Sequence, residues 1–390
     1  MANSIQPGVY RQNSTIIGKP VTAATTATVA FVGNAAWGPV AEPVLISSFA
    51  EYQQQFQHPE QQPGQSDTDA PDEMTRAVMA YYGNGGRSAY ICRVTDDDYP
   101  SFFQNVLSSC HDVSLLVLPG HYWGAMASNA AFSSALAFCQ QVRRCMLLLD
   151  IAPDQQLNNA ASVTALNLPV SSYAALYYPW LIMANPLYHA TTNPLVAKTL
   201  TIAPSAVAAA VYARTDTSHG VWKAPAGVSA KVLGVTGLQF TVENTSQQQL
   251  NPLGVNCIRS LPRVGTVLWG ARTLAAQTDP EWRYISVRRT AIFLEQSICQ
   301  SLQWTASEPN AQPLWQAVRR NVSNFLSTLY RAGAMQGASP KEAFFVRCDW
   351  GDTMTQHDID QQQLVILLGF APVKPAEFVL IRIVYKLSPP

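Results

Sequence analysis

Charge is what this 390-residue sequence has least of. Asp, Glu, Lys and Arg make up 13% of it, and 25 cations balance 25 carboxylates to a net charge of zero, where soluble domains average about 25% charged residues. With 48% hydrophobic residues, the chain does not fit disorder, which needs low hydrophobicity and high net charge. Long apolar runs are missing too. SAVAAAVYA (205–213) and LVILLGF (364–370) fall well short of the ~20 residues that span a bilayer. The segment MANSIQPGVYRQNS has neither an apolar core nor a cleavage signature, so no secretory signal is expected. No two of the seven cysteines (92, 110, 139, 145, 257, 299, 348) stand in C-x-x-C spacing. This argues against a zinc site or a disulfide framework and for buried, reduced thiols in a protein folded in the cytoplasm.

Motifs of chemistry are absent as well. No serine sits in a G-x-S-x-G elbow, so Asp150 and the histidines 111, 121, 189 and 219 have no nucleophile placed for them. H-E-x-x-H is missing, and no histidine lies three or four residues from another. Around His357, in TMTQHDID, calcium-loop spacing is not met, and a structural turn is expected. Asp96, Asp97 and Asp98 mark an exposed loop. No recognition motif interleaves with basic residues as a DNA module requires.

What is present is alternation. The length allows two or three domains. The runs ATVAFVGNA (27–35), VSLLVLPG (113–120), CMLLLDIA (145–152) and AALYYPWLIM (174–183) read as strands, the last three as continuous apolar runs buried on both faces. EPVLISSF (42–49) reads as a strand running into the short helix FAEYQQQF, and 57–72 as a loop. Helices fall between: about 72–82 with Asp72 as cap, ASNAAFSSALAFCQQV, and 203–216 starting near Pro204. Strand–helix–strand order implies a mainly parallel sheet. The last third is α+β. A helix is expected over 278–304 with a cap and proline in its first turn, and another from Pro313 to about Met335. Strands are expected at 342–349, 363–371 and 377–386.

YYGNGGRSAYICRV (81–94) tests the nucleotide reading. A phosphate loop puts its glycines after a strand and before a helix, where free N–H groups bind the anion. Here Gly83–Gly86 follow a helix and precede a strand, with no Lys-Ser/Thr behind them. Gly83 or Gly85 is expected to end the helix in the left-handed conformation.

The charge that exists is uneven. Residues 1–100 hold five Lys/Arg against ten Asp/Glu, and residues 259–331 hold nine Arg against four acids. In PLWQAVRRNVSNFLSTLYRAGAM, Leu314, Val318, Val322, Phe325 and Leu329 share a stripe at 3.6-residue spacing, while Arg320, Asn324, Ser327 and Arg331 lie almost opposite. That row is a solvated face or a docking rail for an acidic partner. A polar segment at 1–20 and the β-forming EFVLIRIVYK occupy the two ends. Terminal strands added to a neighbour's sheet edge make heterologous contacts that grow into open helical filaments.

PGVY (7–10), AFVG…GPVAEPVLISSFAEY (30–52), YYGNGGRSAYICRV and VYARTDTSHGVWKAPAG (211–227) occur in that order. LNPLGVNCIRSLPRVGTVLWGARTL (250–274), PEWRYISVRR (280–289), FFVRCD (344–349) and MTQHDID…LGFAPVKPAEFVLIRIVY (354–385) follow. Along nearly its whole length the chain resembles the sheath protein of contractile bacteriophage tails and of tail-like contractile injection systems. The resemblance implies an N-terminal arm at 1–20 and an outer α/β domain at 21–257, subtilisin-like but without a triad. It further implies a tube-proximal α+β domain at 258–376 and a C-terminal strand at 377–390. It implies a structural subunit, not an enzyme, that stacks helically around an inner tube and contracts to drive it through a target envelope, with no cofactor or metal. Its implied partners are neighbouring sheath subunits or paralogues, the tube protein, and baseplate and terminator proteins. No nucleic acid or membrane insertion is implied. It would be assembled in the bacterial cytoplasm and belong to a phage tail or a released particle. Pro7, Gly8, Val9 and Tyr10 map to the arm, and Phe378, Leu380, Ile381, Ile383 and Tyr385 to the strand. Arg320, Asn324, Ser327 and Arg331 are candidates for facing the tube on helical geometry and charge alone. GVYRQNS lacks the acidic residues common after that tyrosine in the family, and 57–72 reads as an insertion. A ring that caps the sheath or joins it to the baseplate, and a hydrolase on the α/β domain, are the competing readings; a cap should lack one of the two arms.

Overall fold

Every residue of TVAFVG (Thr28–Gly33, β1) is buried, which a strand achieves only where both faces of its sheet are covered. The computed structural model describes residues 18–57, 71–96, 98–186, 188–191, 197–373 and 379–387, with no side-chain description at 379 and 380. The described residues fall into two compact units. One draws on Ala23–Gln296 and Pro372–Val379, the other on Met1–Thr22, Ser297–Ala371 and Leu380–Pro390.

The larger unit begins with β1 and continues with β2 (Val44–Ile46), α1 (Phe49–Phe56), α2 (Glu73–Gly83), β3 (Ala89–Arg93), α3 (Tyr99–Asn105) and β4 (Val113–Val117). Next come α4 (Met126–Val142), β5 (Met146–Leu149), α5 (Ala160–Thr164), β6 (Ala174–Tyr178), β7 (Leu181–Ala184), β8 (Thr199–Ile202) and α6 (Pro204–His219). The run closes with β9 (Val235–Leu238), α7 (Asn244–Leu250), β10 (Val255–Leu261), β11 (Gly265–Leu268) and α8 (Ile285–Ser301). An eight-stranded sheet runs β11-β10-β6-β5-β4-β1-β3-β2. Its six inner strands are parallel, and β2 and β11 join antiparallel at the two edges. Alternation sends Val29 and Phe31 into one core with α2 and α6, and Ala30 and Val32 into the other with α3 and α4. Helix α6 is buried from Pro204 through Ala213, so its sequence carries almost no polar stripe there.

Three expectations need correction. AALYYPWLIM is not one strand. Pro179 has no N–H for a ladder, so the run splits into β6 in the large sheet and β7 in a separate β8-β7-β9 sheet. The helix placed at 278–304 starts only at Ile285, because Tyr284 bridges back to Arg272 and Thr273 N–H donates to Arg283 O at 2.9 Å. The domain boundary falls between Gln296 and Ser297, inside α8, and not at 258, because β10 and β11 complete the edge of the large sheet.

The glycine motif is a helix stop. Asn84 is the C-cap of α2 and is wholly buried. Its Nδ2 donates to Ala80 O at 3.0 Å, and its Oδ1 accepts from Leu233 N–H at 2.8 Å. Gly85 takes the left-handed conformation (φ 84°), and at Gly86 a Cβ would sit 2.3 Å from the Tyr81 ring.

Asp150, just past β5, is 2% exposed. Its carboxylate accepts from Ser205 N–H at 3.0 Å and from Ser205 Oγ–H at 2.5 Å, in the first turn of α6. Burial pushes its pKa up to about 7, against the opposing effect of the Ser205 hydrogen bonds. A raised carboxyl pKa means that folding takes up a proton between the unfolded value, about 3.9, and about 7. The Asp150 contribution to stability is therefore greatest at acid pH and is lost as pH rises through 7. Asp150→Asn keeps an acceptor for Ser205 N–H and removes the titration. The expected outcome is a melting temperature that gains on wild type progressively from pH 5 to 8; parallel curves over that range would exclude the assignment.

Candidate assembly surfaces

The smaller unit adds α9 (Gln312–Arg331), α10 (Pro340–Ala343), β12 (Phe344–Arg347), α11 (Gln356–Asp360), β13 (Gln363–Phe370) and β14 (Val379–Lys386). Helix α9 ends four residues short of Met335: Gly333 turns left-handed (φ 81°) and Ala334 N–H returns to Leu329 O at 3.0 Å. Its buried side is Leu314, Trp315, Ala317, Val318, Val322, Leu326 and Leu329. Leu326 holds the buried place expected for Phe325, which is half-buried.

Opposite that side, Arg320, Asn324 and Arg331 are exposed. Ser327 is half-buried and donates its hydroxyl to Ser323 O at 2.7 Å, so it offers the row less than its sequence position promised. Arg319 is committed elsewhere, to Asp349 Oδ2 at 2.5 Å and Cys348 O at 2.6 Å. The cationic row thus consists of two arginines about three turns apart on a rigid helix.

Where the described chain begins, it is tied down. Asn321 Nδ2 on α9 donates to Lys19 O at 3.0 Å, and Thr22 N–H donates to Ser301 Oγ at 2.9 Å. Gly18 is left-handed (φ 46°), and a Cβ there would lie 2.5 Å from Asn321 Nδ2 and 2.7 Å from the Trp304 ring. Sequence reasoning treated 1–20 as one polar arm and missed this anchor; Gly18 followed by Lys19-Pro20 was its only trace. Pro7, Gly8, Val9, Tyr10 and Phe378 lie outside the described residues.

Strand β14 is an edge of the β12-β13-β14 sheet. β12 and β13 pair antiparallel, Phe344 opposite Phe370. Leu387 N–H, past the end of β14, donates to Gln362 O before β13 at 2.8 Å, which makes that pair antiparallel too. Ile381, Ile383 and Leu387 are buried, Arg382, Val384 and Lys386 exposed, and Tyr385 half-buried. Leu380 lies within the strand.

Among the described residues, the serine, histidine and acid groups of the hydrolase reading are engaged separately. Ser205 is fully buried against Asp150. His121 bonds Tyr99 Oη at 3.0 Å, and His219 bonds Ser218 Oγ at 2.7 Å. A cavity of about 510 Å³ opens beyond β1 and β4, where α/β folds place ligands. Its described lining holds no Ser, Thr, Cys or Lys. Asp72 there is spent on Ala36 N–H and Thr75 N–H (2.8 and 2.6 Å), and Glu73 on Arg76 (3.1 Å). Among the described residues no three His, Cys, Asp or Glu gather to hold a metal, and no described helix is long and apolar enough to cross a membrane. Asp98 caps α3 through Ser101 N–H, and Thr355 and Asp358 form a capping box on α11, which carries His357.

Two family models cover most of the chain: phage tail sheath protein central domain over residues 93–274, and phage tail sheath C-terminal domain over 277–386. The chain belongs to the phage tail sheath family. This sheath-family chain is 29% identical to a chain of the PVC sheath complex of an extracellular contractile injection system in the contracted state. The match covers 98% of both chains with a TM-score of 0.75. The helical sheath of the anti-feeding prophage, also contracted, is 30% identical over 98% of this chain and 99% of that one, with a TM-score of 0.74. A prophage major tail sheath protein of Pseudomonas aeruginosa (strain UCBPP-PA14) is 27% identical over 177 residues. That match spans 44% of this chain and 43% of the relative's length.

Proposed function

We propose that this chain is the repeating subunit of a contractile sheath, which polymerises helically around an inner tube and shortens to drive that tube through a target envelope. The observation that carries the reading is the end-to-end likeness to sheath chains in a contracted state, at 29% and 30% identity over 98% of this chain. In this reading the subunit is non-enzymatic. The α/β unit is the outer domain, with a subtilisin-like winding, and the α9 unit faces the tube. Partners are neighbouring subunits or paralogues, the tube protein, and baseplate and terminator proteins, in a particle assembled in the bacterial cytoplasm. The N-terminal arm carries Pro7, Gly8, Val9 and Tyr10, and β14 is the strand that exchanges or receives pairing between neighbours. Because β14 is already matched to its own β13, exchange would replace one set of backbone hydrogen bonds with an equivalent set, as in domain swapping.

Negative-stain microscopy of the purified protein, alone and with its cognate tube protein, tests this. Striated hollow cylinders are expected with the tube; uniform monomers in both samples would overturn it. The exposed row of α9 gives a second test. Arg320→Glu with Arg331→Glu should change folding stability by about 1 kcal/mol or less, the scale of an exposed contact, since both side chains are exposed. Each reversed contact costs about 1 kcal/mol or less, but it recurs at every subunit. The concentration needed for tube-templated assembly should therefore rise about tenfold or more. Unchanged assembly would remove the row from the interface.

A further inference from the structure

Helix α4 ends where Arg143 turns left-handed (φ 53°), its N–H still bonded to Cys139 O at 2.9 Å. The turn folds the chain back so that Cys145, just before β5, meets Cys139 in the last turn of α4. The two sulfurs are 3.4 Å apart, and both residues are fully buried. The residues between them reach the surface: Gln140, Gln141 and Arg143 are exposed and Arg144 is half-buried. The pair therefore brackets a helix terminus, the part of a helix that opens most readily. A disulfide needs its sulfurs at about 2.05 Å, so the two must approach by roughly 1.4 Å for the bond to form.

We propose that Cys139 and Cys145 are a latent disulfide site, closed by a low-molecular-weight disulfide when α4 frays. The sulfur of Cys145, as thiolate, attacks one sulfur of the oxidant. The oxidant's S–S bond breaks, one thiolate leaves, and a mixed disulfide forms at Cys145. Cys139, as thiolate, then attacks the Cys145 sulfur and expels the second thiolate. Two protein thiols lose two protons to solvent and two electrons to the oxidant, which is reduced to two thiols. The bond ties the end of α4 to the start of β5, which lies between β4 and β6 inside the large sheet. A particle released from the cell meets the oxidising conditions that favour such a bond, but the proposal rests on the turn and not on the sheath reading.

The test uses the full-length wild-type protein. It is incubated under native conditions with oxidised glutathione at pH 8, denatured, alkylated and digested with trypsin. Cleavage after Arg143 and Arg144 separates the two cysteines; the peptide ending at Arg143 also carries Cys110, so the same digest is run on Cys110→Ser, in which only the Cys139–Cys145 bond can join it to the peptide beginning at Cys145. The expected result is that linked pair, two hydrogens short of the sum of its parts and separated by reductant. The Arg143 amide should also exchange about tenfold more slowly than in the reduced protein. Alkylation of both Cys139 and Cys145 after treatment that oxidises the less buried Cys110 and Cys299 would overturn the proposal. So would glutathione retained on either cysteine of the pair.

Discussion

Removal of residues 1–17 is expected to abolish helical polymer and leave a folded monomer. The cut falls just before the anchor, so Gly18 keeps its place against Trp304 and Asn321, and Lys19 O keeps its bond to Asn321 Nδ2. The two cores that cover the large sheet draw on residues from Val29 and Ala30 onward, so the melting temperature should stay within about 2 °C of wild type. In the proposed sheath, what would be lost is pairing between subunits. Each backbone hydrogen bond of an added strand contributes about 0.5–1.5 kcal/mol net, so an arm with four or five of them holds each neighbour by several kcal/mol. Sedimentation velocity and microscopy on tube protein measure both sides of the expectation. Cylinders from the truncated chain would remove the arm from the linkage. Gly18→Val is the point counterpart. The added side chain cannot occupy 2.5 Å of space beside Asn321, so the chain must leave α9 at a different angle. Polymer formation should fall while the body stays folded.

How much of this was legible beforehand depended on how local each feature is. The parallel strands could be read because burial on both faces writes itself as continuous apolar runs, as in LLV and MLLL of β4 and β5. The split of 174–183 was also written there, in Pro179, but the apolar run on both sides concealed it. Contacts that close over long separations left no trace. Asn84 locks its helix end to Leu233, 149 residues away, and nothing in the glycine motif announces that partner. The LNPLGVNCIR…WGARTL stretch was distinctive only as a resemblance. Its physical sense appears in Asn256, wholly buried, which donates to Leu176 O and Arg272 O and accepts from Arg272 N–H at 2.6 Å. Gly270 packs so tightly there that a Cβ would come 2.9 Å from Asn256 Cα. On α9, spacing alone recovered the exposed arginines but could not tell Arg320 from Arg319, which is claimed by Asp349 from the strand-rich segment. In β14 the alternation of Ile381, Arg382 and Ile383 declared a half-buried strand, without saying which strand would lie beside it.

The largest single-residue loss of stability is expected at Asp216→Ala. Arg289 is one of the nine arginines of the basic stretch 259–331, yet its side chain is 4% exposed and that of Asp216 5%. Two guanidinium nitrogens meet the Asp216 oxygens at 2.8 and 2.6 Å, one of them also donates to Thr26 O at 2.6 Å, and the Tyr212 ring lies 4.8 Å beneath. Burial works to lower the Arg289 pKa, but the charge and hydrogen bonds of Asp216 outweigh it and hold the group above its ordinary value. Without Asp216 the guanidinium stays buried with one carbonyl for company, and removing one partner of such a pair costs about 3–5 kcal/mol. Replacing both charges behaves differently, because no ion is left stranded. Arg289→Met with Asp216→Leu should recover most of the loss. Urea unfolding of the single and double variants measures the coupling. A single variant within about 1 kcal/mol of wild type, the cost of an exposed pair, would mean that water reaches Arg289 and that the pair does not hold α6 to α8.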